Sequence, residues 1–157
     1  MGVEIERKFL VVDDSWRQSA PKSLRMRQGY LSDGTECSVR VRLEDRCGKM
    51  NIKSSRDGVR RLEFEYEIPA REAEELLDQV ALRPLIEKVR YHVPVGGHLW
   101  EIDVFEGDNQ DLVVAEIELQ SEDEVFERPA WLGREVSDDL RYYNMSLRKN
   151  PYKNWKE

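Results

Sequence analysis

Residues 62–67 read Leu62-Glu63-Phe64-Glu65-Tyr66-Glu67, apolar and acidic in strict turn. Successive side chains of an extended strand point to opposite faces, so this stretch is a strand with one oily face and one carboxylate face. The same alternation runs outward in both directions. Upstream, Lys53 precedes it, then Arg40 and Arg42 against Val39, Val41 and Leu43, then Glu4, Glu6 and Lys8 against Val3, Ile5 and Phe9. Downstream come Lys88 and Arg90 against Val89, Tyr91 and Val93, Glu101 and Asp103 against Trp100, Ile102 and Val104, and Glu116 and Glu118 against Ala115, Ile117 and Leu119.

The alternation predicts eight strands, near 2–11, 24–31, 36–44, 49–56, 60–68, 87–95, 98–106 and 112–120. Turn residues separate several of them: Ser32-Asp33-Gly34, Asp57-Gly58, Gly96-Gly97 and Gly107-Asp108-Asn109. Three helices are expected among and after the strands. Residues 70–82 carry Ala73, Leu76, Leu77 and Val80 at helical spacing, with Pro84 just beyond. A short helix is expected from Ser121, with Glu124 completing a capping box. A third is expected near Ser137, with Leu140, Tyr143 and Leu147 on one stripe. The fold class is therefore α+β, mainly antiparallel β, in one domain over 1–157 with a frayed tail at 150–157.

An ordinary sheet with one wet face would also alternate. Two details favour a charged binding site. The charges on each strand mostly share one sign, whereas a solvated face tends to mix signs because like neighbours repel. The charges also persist through nearly every strand. If eight antiparallel strands close, the interior can hold one small ligand, and a charged interior cannot be a dry core. Acidic pairs suit a hard divalent cation held by oxygens. Arg and Lys pairs suit phosphate oxygens. Together they point to metal-assisted phosphoryl transfer.

The remaining features mostly exclude. A formal net charge of -7 argues against a nucleic-acid coat, which needs a basic face. No apolar run is long enough to span a bilayer, and the start MGVEIERKFL is charged at once, unlike a secretory signal. A cytoplasmic location is expected, with Cys37 and Cys47 as free thiols and Cys37 in the core. Arg25 and Arg27 fall on the outer face, opposite Gln28 and Tyr30. Arg61 shares the inward face with Glu63, as a phosphate ligand or an ion-pair partner. The apolar outer faces exceed what three short helices can cover, which suggests a homodimer.

The opening EIERK at 4–8 resembles the ExExK signature of the CYTH superfamily, the triphosphate tunnel metalloenzymes. RQGYL at 27–31, VRVRL at 39–43, IKS at 52–54, EFEYEI at 63–68, EKVRY at 87–91, EIDVF at 101–105 and AEIEL at 115–119 follow in the family's order. EVSDDLRYYNMSL at 135–147 resembles its terminal segment, and the size resembles the short bacterial members, many of them inorganic tripolyphosphatases. The resemblance implies a closed eight-stranded tunnel with flanking helices that hydrolyses a linear triphosphate with one or two Mg²⁺ or Mn²⁺ ions. Glu4, Glu6, Glu116 and Glu118 match metal ligands. Lys8, Arg40, Arg42, Lys53, Lys88 and Arg90 match phosphate-binding positions. Glu63, Glu65 and Asp103 match positions that bind a second metal or orient water. Tyr30 matches a tyrosine paired with the signature lysine, Lys8, and Arg141 lies in a segment that plugs the tunnel. The alternatives are an organic-triphosphate enzyme of the same fold (an adenylate cyclase or a nucleoside or thiamine triphosphatase), for which no base pocket can be located, and a non-catalytic polyphosphate sensor.

Overall fold

A computed structural model describes residues 2–32, 34 and 36–155. Among the described residues there are nine strands, the first eight of which follow the alternation: β1 Gly2–Val11, β2 Lys22–Tyr30, β3 Cys37–Glu44, β4 Cys47–Ser54, β5 Arg60–Ile68, β6 Ile86–Val95, β7 His98–Phe105, β8 Val113–Glu118 and β9 Leu132–Glu135. They are hydrogen-bonded in the order β5-β4-β3-β2-β6-β7-β8-β1-β9, and β1 also pairs with β5. That last pairing closes the first eight strands into an antiparallel barrel, as expected. Gly58, Gly96 and Gly107, each in a predicted turn, adopt left-handed φ values of 62°, 60° and 63°. The Ser32-Asp33-Gly34 turn includes Asp33, which lies outside the described residues.

β1 is shared by three neighbours. Its residues Gly2–Ile5 pair with Arg60–Glu63 of β5, and Glu6–Leu10 pair with Val114–Glu118 of β8. Phe9 and Val11 pair with Glu135 and Leu132 of β9. Between the β5 and β9 stretches the edge of β1 is satisfied by loops. The Glu6 N–H donates to Val59 O at 3.1 Å, and the Lys8 N–H donates to the Ser137 hydroxyl at 2.9 Å.

The expected helix at 70–82 is α1, Ala70–Gln79. Ala73 and Leu77 are buried with Val41 and Leu43 on the outer wall of β3. Gly48 and Gly29 let α1 and the residues after it approach. A Cβ on Gly48 would stand 2.9 Å from that of Ala73, and one on Gly29 would stand 2.8 Å from that of Ala81.

No helix forms at Ser121. The Glu124 carboxylate does accept the Gln120 N–H, but its other oxygen is held by His98 of β7. Phe126 then packs edge-on to Phe9 and Trp100, so the chain stays extended over the barrel wall. The helix expected from Ser137 starts later, because the Ser137 hydroxyl is occupied by Lys8 N–H and Glu135 and cannot cap. A 3₁₀ turn at Leu140–Tyr142 comes first, with Asp139 accepting the Arg141 N–H, and then α2, Asn144–Lys149. Leu140 is left 62 % exposed, while Leu147 is fully buried. Near the end of the described residues the Trp155 indole packs against Tyr142 and Tyr152. Residues 156 and 157 lie outside the described residues.

Two elements had no signal strong enough to predict them. One is β9, only four residues long. The other is a 3₁₀ turn at Ser15–Ser19 that buries Trp16. Both cysteines are free and exposed, and Cys37 is not in the core, because none of the described residues covers the outer wall where β3 begins. Val3, Leu62 and Tyr66 on the adjoining outer face of β1 and β5 are also exposed. Among the described residues no helix is long and apolar enough to cross a membrane.

Candidate active site

The inward faces of the strands surround a cavity of about 400 Å³. Period two alone predicts that every second residue looks inward, and the chemistry of those residues changes along the barrel. Leu10, Ile86, Phe105 and Val114 continue the inward rows of Lys8, Lys88, Asp103 and Glu116, and they are apolar. Val136, Tyr142 and Leu147 pack against them and fill that end of the barrel. Tyr143, Asn144 and Met145, at the start of α2, form the floor of the cavity beside this plug.

The acids of the site lie in the cavity wall, and most are already paired with cations. Glu4 receives Lys53 at 3.1 Å and Arg61 at 2.9 Å. Glu116 receives Lys8 at 2.5 Å and Arg90 at 3.0 Å. Burial opposes the Glu116 charge, yet Lys8 and Arg90 hold its carboxyl well below the usual range. Glu6 behaves in the opposite way. Burial and the neighbouring Glu116 carboxylate push it well above the usual range, and Lys8, 3.7 Å away, does not offset them. Glu118, register partner of Glu6, is raised by burial and by Glu4. Glu63 and Glu65 also line the cavity, beside Lys53 at 3.4 Å and Arg42 at 3.1 Å respectively.

Among the basic residues, Arg42 and Lys53 reach the cavity with carboxylate partners. Arg40 differs. It is 8 % exposed, lines the cavity, and among the described residues it makes no ion pair or hydrogen bond. Its charge acts on its neighbours, because burial and then Arg40 push the Lys53 ammonium down from its ordinary range. A buried guanidinium with no protein partner is costly unless an anion completes it.

Three sequence-predicted residues are placed elsewhere. Lys88 and Asp103 are each 1 % exposed and sit behind the lining. Asp103 accepts two bonds from Arg90, at 2.7 and 2.9 Å, and one from Lys88 at 2.7 Å. Both point inward, but at the depth where the apolar plug begins, so they brace Arg90 instead of facing the cavity. Arg141 is on the outside. It chelates Asp139 and stacks over Trp155, because the segment enters the barrel with its next residues. Tyr30 does line the cavity, but the ring nearest the Lys8 ammonium is that of Tyr143, 4.7 Å from it.

Other lining residues extend rows that the sequence already showed. Glu44 continues Arg40 and Arg42, and Lys49 precedes Lys53 at the same parity. The two are paired at 3.2 Å. Arg61 proves inward and bound to Glu4, and Glu101 lines the cavity opposite His92. Burial opposes the Glu101 charge, but Arg90 and His92 hold its carboxyl at about 2. Glu67 is exposed, and Arg25 and Arg27 pair outside with Glu106 and Asp78. Tyr143 read only as part of a helical packing stripe with Leu140 and Leu147, in a segment whose helix starts elsewhere than its capping residue suggests, yet it lines the cavity.

Lys88 leads to one expected outcome. Burial brings its ammonium down to about 8, although Asp103 pulls the other way, because that carboxylate also serves Arg90. Between pH 8 and the unfolded value near 10.5 the folded chain has lost this proton and the unfolded chain has not. Stability should therefore rise with pH over that window, by roughly 2–3 kcal/mol between pH 8 and 10. Urea melts across the window should show the rise in the parent protein and a flatter curve in Lys88→Met.

A divalent cation fits this donor set. The converging groups are carboxylates, with no thiol among the lining residues, which suits a hard ion. Glu6 and Glu116 crowd each other without enough counter-charge, so Glu6 resists ionisation. Among the described residues no three acidic or His/Cys groups already stand in a ligating cluster. Carboxylates now paired with Lys and Arg would have to turn toward the ion.

A closed antiparallel barrel of this size, with acids and bases facing a central cavity, defines a tunnel protein for a small polyanion. The chain belongs to the CYTH domain family, whose model matches residues 2–147. It is 49 % identical over 157 residues, all of both chains, to an inorganic triphosphatase of Acetivibrio thermocellus. It is 38 % identical over 149 residues to an inorganic triphosphatase of Nitrosomonas europaea, covering 92 % of this chain and 95 % of the relative. A solved structure of an inorganic triphosphatase superposes with a TM-score of 0.65 at 35 % identity, covering 94 % of this chain and 95 % of that one.

Proposed function

We propose that this chain, acting as one domain over 1–157, hydrolyses a linear inorganic triphosphate to pyrophosphate and phosphate with Mg²⁺ or Mn²⁺. The observation that carries the reading is Arg40, a buried cation facing the cavity with no partner among the described residues. The named activity of relatives that match 100 % and 92 % of the chain supports it.

In the resting cavity, acids and bases neutralise one another. The substrate draws Arg40, Arg42, Lys53 and Arg90 onto its phosphate oxygens, which frees Glu4 and Glu116 from their cations. Glu4, Glu6, Glu116 and Glu118 are the residues that would hold one or two divalent ions, which would supply Lewis-acid polarisation of the phosphoryl group. Glu63 and Glu65 orient water at the far wall, and Lys8 and Tyr30 face the reacting end. Little covalent chemistry is asked of the protein, so charge neutralisation and positioning supply the rate. The same reading places the protein in the cytoplasm. It also places a second copy against the uncovered face at Val3, Leu62 and Tyr66.

Phosphate release from tripolyphosphate, ATP, thiamine triphosphate and pyrophosphate, each with Mg²⁺, Mn²⁺ or EDTA, tests the proposal. Fast metal-dependent cleavage of tripolyphosphate above the others is the expected result. Preference for an organic triphosphate, or binding without turnover, would overturn it.

A further inference from the structure

At the floor of the cavity the Lys8 ammonium stands 4.7 Å from the centroid of the Tyr143 ring. The Arg56 guanidinium, reaching over from the β4–β5 loop, stands 4.0 Å from the same centroid. The Tyr143 hydroxyl donates to Ser137 O at 2.7 Å, and Arg56 donates both to that carbonyl, at 3.3 Å, and to the hydroxyl. Ser137 is 3 % exposed, and its hydroxyl accepts the backbone N–H of Lys8. The ring and the β1 backbone at Lys8 are therefore tied to one residue. Arg56, Ser137 and Tyr143 come from parts of the chain that no strand pattern joins.

We propose that Tyr143 is a positioning residue whose ring holds the Lys8 ammonium at the closed end of the cavity, with Arg56 and Ser137 fixing the ring. The inference rests on the phosphohydrolase reading. The other partners of the ammonium are carboxylates, Glu116 at 2.5 Å and Glu6 at 3.7 Å. Both are assigned there to a divalent ion. Once they turn away, Lys8, 3 % exposed, needs a support that neither neutralises it nor competes for phosphate oxygens. An aromatic face meets that need, attracting a desolvated cation while offering it no anionic oxygen. Tyr143 thus keeps Lys8 aimed into the cavity without reducing the charge it presents to substrate.

The test combines kinetics with proton NMR of ¹³C-lysine-labelled protein. Tyr143→Leu is expected to lower kcat for tripolyphosphate about ten- to thirty-fold with little change in KM or Tm. Tyr143→Phe, which keeps the ring, should recover most of that loss. The Lys8 ε-methylene protons should lie upfield in the parent and in Tyr143→Phe, from the ring current, and return downfield in Tyr143→Leu. Parental kcat in the Leu variant, no rescue by Phe, or an unshifted Lys8 signal in the parent would overturn the proposal. If Tyr143→Leu fails to fold, Arg56→Gln loosens the ring instead and should lower kcat about threefold. Unchanged kcat there, with the Lys8 shift lost, would also overturn it. If the parent turns over no triphosphate at all, the phosphohydrolase reading falls by itself, and the Lys8 shift alone decides where the ammonium is held.

Discussion

Arg40→Ala is expected to cut tripolyphosphate turnover by about 10²–10³-fold, the scale seen when one fixed charge-stabilising donor is removed from a reacting centre. The same change should leave Tm unchanged or raise it. In the ligand-free cavity Arg40 is a buried charge without a carboxylate partner, and it depresses the Lys53 ammonium beside it. Removing it relieves repulsion and leaves no group unpaired. Loss of activity with no loss of stability marks a residue kept for its ligand. Steady-state kinetics and a thermal melt on one preparation decide it. A large fall in Tm would mean that Arg40 supports the fold.

Glu6→Gln and Glu116→Gln should part company, although both carboxylates are assigned to the same ion. Burial and the nearby Glu116 push the Glu6 carboxyl well above the ordinary range, so its ionised form is disfavoured in the fold and an amide of the same shape replaces it at little cost. The Glu6 variant should fold within about 1 kcal/mol of the parent, since no buried charge is orphaned. It should lose turnover by about 100-fold or more, because groups that merely support metal ligands already account for 10–100-fold. Glu116 is instead held ionised by Lys8 and Arg90. Its loss takes the close ionised partner from buried Lys8 and one of the partners from Arg90, and should destabilise the fold by about 3–5 kcal/mol. Urea denaturation of the two variants checks the contrast. Equal destabilisation would contradict the assigned charge states.

The barrel and its charged lining were legible because period two is a one-dimensional signal that survives folding. Glu4, Glu6, Arg40, Arg42, Lys53 and Glu116 all face the cavity as their parity requires. Parity does not report depth along the barrel axis. Lys88 and Arg40 have the same sequence signature, yet one is walled behind the cavity and the other opens into it. The difference is set by where Val136, Tyr142 and Leu147 come to rest, and that packing depends on the whole chain. Ser137 failed for a related reason. Its hydroxyl reads locally as a helix cap, but a strand 129 residues away claims it. Tyr143 then enters the site from a segment whose local pattern pointed to a different helix.

The sharing of β1 among three neighbours affects how the molecule is made. The earliest strand of the barrel in chain order pairs with residues 60–63, 114–118 and 132–135. At about 5–20 residues per second, the nascent strand waits on the order of ten seconds for its last partner. Until the last strands arrive, the cluster that encloses Ile5 and Phe9 lacks Ala115, Ile117, Leu119 and Trp131. The earliest of the barrel strands in chain order is thus the last to be finished, and it is also the one that carries Glu4, Glu6 and Lys8. A truncated chain lacking β8 and β9 would therefore leave this strand unpaired along most of its length. The site and the completed barrel arise in the same late event.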